Sequence, residues 1–505
     1  MLNGMRALVI GCVIVVSLWA DPQQVAKLET AFPEIDGIFR EYATAKHIRG
    51  MVWGIVIDGR LAHVHSVGEG ITADTPFRIA SMTKSFTALA ILKLRDAGKL
   101  SLDDPLAKWI PEFARMEIPT RDSPVLRIRH LLTHAAGFPE DNPWGDQQLG
   151  ASEQDLTAWL RRGIPFSTAP GTRYEYSNYG FALLGRIVAK ASGVSYDRYV
   201  TTQILTPLKM TASTFDAARA AGKATGYRLQ PDGTYLEEPQ LPHGAFGAMG
   251  GLLTTANDLG RYVAFQLSAW PPRDDPESGP VRRSSVREMN HLWNPANLTG
   301  GKLPTEVRGY GYGLRVSADC RFEHIVGHGG GLPGFGSYMA WLPDYGVGMF
   351  AMANLTYVGP AQPINQAWDV MLKTGALQKR QLAASPILTQ MRDRIFDLWK
   401  SWNVGGLKKI AAMNLLLDIP AAQREAQIQK LKAEVGECST AGPVMAENWM
   451  RGQFNLTCQK GTVGVFFTLA PTKPPGVQHL SFQRIEANTR LSAPTGPPAG
   501  VACSE

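Results

Sequence analysis

The chain has 505 residues, 44% hydrophobic and 19% charged, with a net charge of +7. That length allows a large buried core and more than one domain, and the composition excludes wholesale disorder. The basic excess is scattered, with no Lys/Arg run, which argues against a nucleic-acid partner and leaves solubility or attraction to an anionic surface.

Arg6 precedes an apolar run from Ala7 to Trp19 that ends at Ala20, with polar residues from Asp21 on. A charged start, a short apolar stretch and a small residue read as a secretory signal peptide over residues 1–20. The run falls short of the ~20 residues of a membrane span. Bulky Leu18 weakens the cleavage context and leaves an uncleaved membrane anchor open. The expected location is therefore secreted or periplasmic, with or without an anchor. Of the five cysteines, cleavage would remove Cys12 and leave Cys320, Cys438, Cys458 and Cys503. Cys438 and Cys458 each adjoin a strand-like segment and are candidates to pair in an exported chain. There is no Cys-x-x-Cys, and no metal or other cofactor is expected.

Residues 22–48 carry Val25, Leu28, Phe32, Ile35, Ile38 and Phe39 at helical spacing and read as one helix. Residues 51–57 and 61–67 read as antiparallel strands around the turn Asp58-Gly59-Arg60. His63 and His65 alternate on the second strand. With no carboxylate or third histidine nearby in sequence, they read as strand residues rather than a metal pair.

Next comes Ser81 at the head of a helical pattern, with Met82, Phe86, Leu89, Ala90, Leu92 and Leu94 apolar and Gly98 as the stop. Lys84 lies one turn along on the same face, which brings its amine within reach of the Ser81 hydroxyl. A serine needs such a neighbour to act as a nucleophile near neutral pH. The pair also fits an ordinary cap beside a surface lysine, so its meaning depends on the rest of the chain.

Residues 128–133 read as a helix ending at Gly137. His130 and His134, four apart, lack the glutamate of a zinc-protease helix and read as structural. The Pro- and Gly-rich segment 138–145 is a loop whose Trp144 either lines a cleft or pins the loop. Tyr176-Ser177-Asn178 enters a strong helical pattern closed by Gly193, where Ser177 or Asn178 also suits a cap. The run Gly247 to Thr255 is a Gly-rich turn into another capped helix. His328 is followed by Gly329, Gly330 and Gly331, a backbone that a ligand can approach closely. Two strands follow, at 337–342 and 347–354. From about residue 380, three helical segments precede a three-strand meander, the order expected of a separate small α+β domain.

Ser81-x-x-Lys84, Tyr176-Ser177-Asn178 and His328-Gly329-Gly330 stand in order along the chain. Together they make the sequence resemble the serine β-lactamase and penicillin-binding superfamily, in the branch of class C β-lactamases, DD-peptidases and β-lactamase-like esterases. The segment Arg129 to Gly137 resembles a stretch common in that branch. The resemblance covers roughly residues 30–375.

It implies an α+β, β-lactamase/transpeptidase-like fold: an antiparallel sheet flanked by helices plus an all-helical region. The early hairpin and late strands would share one sheet, and residues 81 to about 260 would supply the helices. The expected organisation is 1–20 signal or anchor, 21–378 hydrolase domain, 379–488 C-terminal α+β domain and 489–505 loose tail. The implied chemistry is attack by Ser81 to give an acyl-enzyme, with Lys84 and Tyr176 moving protons and the Lys84 ammonium favouring ionised Tyr176. Which of the two takes the serine proton stays open. Asn178 would orient Lys84 and the substrate amide. His328, Gly330 and Gly331 would meet substrate, with the amides of Ser81 and Gly331 as the oxyanion hole. The implied substrate is a small ester, amide or peptidoglycan-like molecule. His328 where a lysine is usual removes a permanent positive charge, which weakens the case for a dedicated β-lactamase and favours an esterase or D-Ala-D-Ala carboxypeptidase-like activity. The alternative is a non-hydrolytic penicillin-binding or scaffold protein.

Overall fold

The computed structural model describes residues 22–142, 144–297, 306–380 and 382–485. The expected signal segment and C-terminal tail, with Cys12 and Cys503, lie outside the described residues. Clustering of the chain divides it after Lys379 into two units.

The first unit is built on an eight-stranded antiparallel sheet. Its strand order is Arg60–Val67, Met51–Ile57, Val347–Ala353, Phe335–Leu342, Ile325–Leu332, Arg315–Asp319, Glu306–Tyr310 and Asn294–Asn297. The hairpin near the start of the unit thus pairs with a strand near its end, Trp53 opposite Ala351. Alternation sorts the first strand's side chains between two cores. Val52 and Val56 pack with the helical segment that runs from the Ser81 helix to Leu267. Met51, Trp53, Ile55 and Ile57 pack on the other face with Phe39, Ile35 and Trp368. Because both faces are covered, the strand is buried throughout.

Two details differ from the sequence reading. The expected single helix over 22–48 is two, Pro22–Glu29 and Phe32–Ala45. Pro33 lies in the first turn of the second helix, where its missing N–H costs nothing, but it cannot donate to the Glu29 carbonyl, so the first helix cannot run on through it. His63 does have a carboxylate neighbour: Asp36 Oδ1 lies 2.8 Å from His63 Nε2 and accepts from Trp53 Nε1 at 2.8 Å. The helix that carries Asp36 is far from His63 in sequence but covers that face of the sheet. Among the described residues no group of three or more His, Cys, Asp or Glu side chains is arranged to hold a metal ion, and no helix is long and apolar enough to cross a membrane.

The second unit has helices Pro386–Lys400, Val404–Ile410, Leu415–Asp418 and Ala421–Val435, then a sheet of five strands rather than three. The first strand of the expected meander would run over 447–458; the chain instead turns at Trp449-Met450, so Met445–Asn448 folds back on Arg451–Cys458. Cys438–Ala441 adds on the same strand, with Cys438 directly opposite Cys458 and disulfide-bonded to it.

Candidate active site

Ser81 owes its place to a chain reversal. Phe77-Arg78 pairs with Leu253-Thr254, and Ala80 adopts φ +48°, an uncommon left-handed conformation for a residue with a Cβ. The turn Ala80–Met82 then leads into the helix Thr83–Asp96, which is buried on nearly every face. Ser81 thus sits at a helix N-terminus, where main-chain amides lack intrahelical partners.

Lys84 is fully buried, which is rare for a lysine and costly unless every donor is satisfied. Its Nζ donates to Ser81 Oγ at 2.9 Å, Asn178 Oδ1 at 2.6 Å and the Met249 carbonyl at 2.9 Å. Burial pulls its pKa down to about 7, against the opposing pull of Asp146 and Asp141. Asn178 Oδ1 and Met249 O can only accept. When Lys84 is neutral its two remaining protons satisfy them, and its lone pair is left facing the Ser81 hydroxyl.

Tyr176 lies beside Ser81, but burial drives its phenol pKa well above the ordinary value. Lys84 Nζ stands over the Tyr176 ring, 4.8 Å from its centroid, and does not hydrogen-bond its oxygen. The expected ionised Tyr176 finds no support here: desolvation raises its pKa and outweighs the Ser81 hydrogen bond and the Arg315 charge that pull it down.

Asn178 orients Lys84 through its Oδ1, and one of the two N–H groups of its Nδ2 donates to Asn142 Oδ1 at 2.5 Å. Ser177 caps the helix Asn178–Ser192 by accepting from Gly180 N, and Asp141 accepts from the amides of Asn178 and Tyr179 at 2.6 and 2.7 Å. His134 Nδ1 accepts from Ser177 N at 3.0 Å, so this histidine is structural. Trp144 packs with Trp159, Tyr179 and Phe246 and pins its loop.

His328 lines the same cavity as Ser81, with both ring nitrogens engaged. Its Nδ1 donates to Gly329 O at 2.6 Å, so Nε2 accepts from the Tyr310 hydroxyl at 2.8 Å. Both nitrogens are used internally, and burial holds the ring neutral well below its usual pKa. It offers a substrate neither charge nor a free nitrogen. Gly330 likewise serves packing: a Cβ there would lie 2.2 Å from the Ile79 carbonyl oxygen, so only glycine lets this strand lie against the Ser81 turn. Gly331 lines the same cavity as Ser81. Leu332 and Phe335 flank a two-residue hairpin loop and pair across it, so alternate residues, Gly331 among them, turn their amides away from that neighbour.

These residues meet in a cleft of about 1220 Å³ lined by Ser81, Tyr176, Gly331, Asn142, Asp146 and Arg315, among others. A family model described as Beta-lactamase matches residues 35–370. The chain belongs to the beta-lactamase family. It shares the β-lactamase/transpeptidase-like fold and is grouped with β-lactamase-related serine hydrolases.

Within that family it is 29% identical over 337 residues to Protein flp of Staphylococcus aureus (strain COL), covering 64% of this chain and 63% of that protein. It is 34% identical over 363 residues to Beta-lactamase-like protein 2 of Dictyostelium discoideum, covering 68% and 63%. The chain thus spans a little under two thirds of the length of these relatives. Similar solved structures are an octameric penicillin-binding protein homologue from Pyrococcus abyssi and a D-stereospecific amidohydrolase from Streptomyces sp. The first has a TM-score of 0.59 and 22% identity, covers 90% of this chain and 96% of the other, and is a likeness of fold. The second has a TM-score of 0.52 and 25% identity over 68% and 98%.

Five contributors to this β-lactamase-family cleft escaped the sequence reading: the Met249 carbonyl, Asn142, Asp146, Tyr357 and Arg315. The first lies in the Gly-rich turn already singled out, where the packing of a tight turn hid a free carbonyl. Asn142 and Asp146 lie in or just after the loop read from its Pro and Gly content. Arg315 reads as one charge on a strand. It is open to solvent in the cleft, 5.9 Å from the Tyr176 ring centroid, with no carboxylate partner among the described residues.

Proposed function

We propose that this chain hydrolyses a small ester or amide through a Ser81 acyl-enzyme, with a carboxylate on the substrate's leaving group held by Arg315. The observation that carries this reading is the three-acceptor cage of Lys84. It aims a lysine with a pKa of about 7 at Ser81 Oγ. Near neutral pH about half of such a group is the free amine.

The steps follow from that geometry. Lys84 Nζ takes the Ser81 proton as Oγ attacks the carbonyl carbon. The amides of Ser81 and Gly331 hold the resulting oxyanion, each such donor contributing ~2.7–4 kcal/mol of transition-state stabilisation. The neutral Tyr176 hydroxyl, beside Ser81, donates to the departing oxygen or nitrogen. Water then attacks the acyl-enzyme: in deacylation the phenolate takes the proton of the attacking water while Lys84 returns its proton to Ser81 Oγ. Arg315 supplies the cation that His328 does not, and its place over Tyr176 sets it on the leaving-group side.

Export over residues 1–20 belongs to the same proposal, and the Cys438–Cys458 disulfide supports an oxidising compartment. Hydrolysis of 4-nitrophenyl acetate, together with intact mass after exposure to penicillin, tests the reading. Turnover with a transient adduct on Ser81 supports it, whereas a permanent adduct without turnover points to a non-hydrolytic penicillin-binding protein. Full ester hydrolysis by Ser81→Ala would end it.

A further inference from the structure

The mechanism leaves one buried ionisable group in the cleft without a task. Asp146 is only 3% exposed, yet it lines the same cleft as Ser81. Among the described residues its carboxylate takes part in no ion pair and accepts no main-chain hydrogen bond. The Tyr357 hydroxyl faces it as a donor, and the Lys84 amine, whose hydrogen bonds go to three other acceptors, acts on it only through space. An ionised carboxylate so placed is costly unless a positive partner arrives. Burial accordingly raises its pKa to about 6.

Its position relative to Arg315 is fixed by the central strand. Arg315 pairs with Gly327, while the Tyr357 ring packs on Gly331, four residues along. At 3.3 Å per residue that separates the two ends by ~13 Å, with Ser81 beside the strand. Tyr357 holds φ +56°, an outlier for a bulky residue, to keep its ring on Gly331 and its hydroxyl toward Asp146. The cleft is thus electrically polar, with a solvent-open guanidinium at the Gly327 end and a buried carboxylate at the Gly331 end. Tyr176, the donor to the leaving group, is at the Arg315 end. The acyl part of the substrate therefore lies toward Asp146.

We propose that Asp146 is an ammonium subsite, so that the preferred substrate carries a free amino group on the acyl side of the bond that Ser81 attacks. With Arg315 at the other end, the ligand class is a short zwitterionic peptide or amino-acyl compound, its amine anchored by Asp146 and its carboxylate by Arg315. This rests on the serine-hydrolase reading and adds the substrate class.

The test compares kcat/KM for the 4-nitroanilides of D- and L-alanine with that for their N-acetyl and propionyl counterparts. The wild type should prefer a free amine of one or both hands by ~10–100-fold, the range of one charge-assisted hydrogen bond. Asp146→Asn should cut that ratio by ~10-fold or more. A role exerted only through Lys84 would slow all substrates alike and leave the ratio untouched, so the ratio separates anchoring from support. A second readout needs no variant. The groups facing Asp146 are Lys84, Tyr357, Asp141 and Glu140. As pH falls through about 6 the carboxylate takes up a proton while the substrate amine stays charged, so the preference should decline. Equal rates, a preference for the acylated compounds, no anilide cleavage, or an unchanged ratio in the variant each overturns the subsite. Those outcomes leave the hydrolase reading standing if 4-nitrophenyl acetate is still cleaved in a Ser81-dependent manner. Loss of that dependence strikes the underlying reading instead.

Discussion

Lys84 in the first unit and Arg424 in the second are both long cations buried against main-chain oxygen, and the difference between the two separates a structural charge from a reactive one. In residues 380–485 Arg424 donates to the carbonyls of Leu415, Ile419 and Leu480 at 3.0–3.2 Å. All three partners are inert, the guanidinium does not deprotonate, and the group ties helix to sheet. In residues 22–379 Lys84 also has three acceptors, but one is a serine hydroxyl at the wall of a cleft. An amine can shed its proton where a guanidinium cannot. The same demand, to satisfy a buried cation, yields a bolt in one unit and a base in the other.

The largest break in that comparison should come from Ser81→Ala, which removes the nucleophile and should lower ester hydrolysis by ~10³-fold or more with an unchanged circular dichroism spectrum. Lys84→Met should cost ~10²–10⁴-fold. Lys84→Arg should fail to restore the rate, because the replacement stays charged. In the wild type the acylation rate should rise with pH through about 7, where the lysine loses its proton, and then level off. Arg315→Gln should lower kcat/KM by ~10–100-fold for substrates whose leaving group bears a carboxylate and leave neutral esters nearly unaffected. The smallest effect on activity belongs to Arg424→Met. It strips three buried carbonyls of their donor and should cost about 1–3 kcal/mol in denaturant unfolding of its unit, with Ser81-dependent hydrolysis unchanged.

Much of the architecture was legible because it is written in local pattern. Alternation and the Asp58-Gly59 turn gave the first hairpin, and helical spacing with Gly98 and Gly193 as stops gave the two central helices. Ser81 and Lys84 could be paired on paper because one helical turn joins them. The single helix over 22–48 misled, since Pro33 both starts a helix and breaks the one before it. The three-strand meander missed Cys438–Ala441 and the turn at Trp449-Met450, where short exposed segments carry little alternation to read.

The chain's own sequence determined which groups are chemically equipped to react: a serine one helical turn from a lysine, a tyrosine entering a second helix, and a glycine-rich strand. Periodicity and turn chemistry suffice for that, because both act over a few residues. Only the tertiary structure decided their states. Burial raised the pKa of the Tyr176 phenol and lowered that of Lys84 toward the free amine. Tyr310 and Gly329 closed off both nitrogens of His328, and packing placed Arg315 beside Gly327 and Asp146, through Tyr357, toward Gly331. Desolvation and partner geometry depend on what packs around a group from distant parts of the chain, and no local motif encodes them.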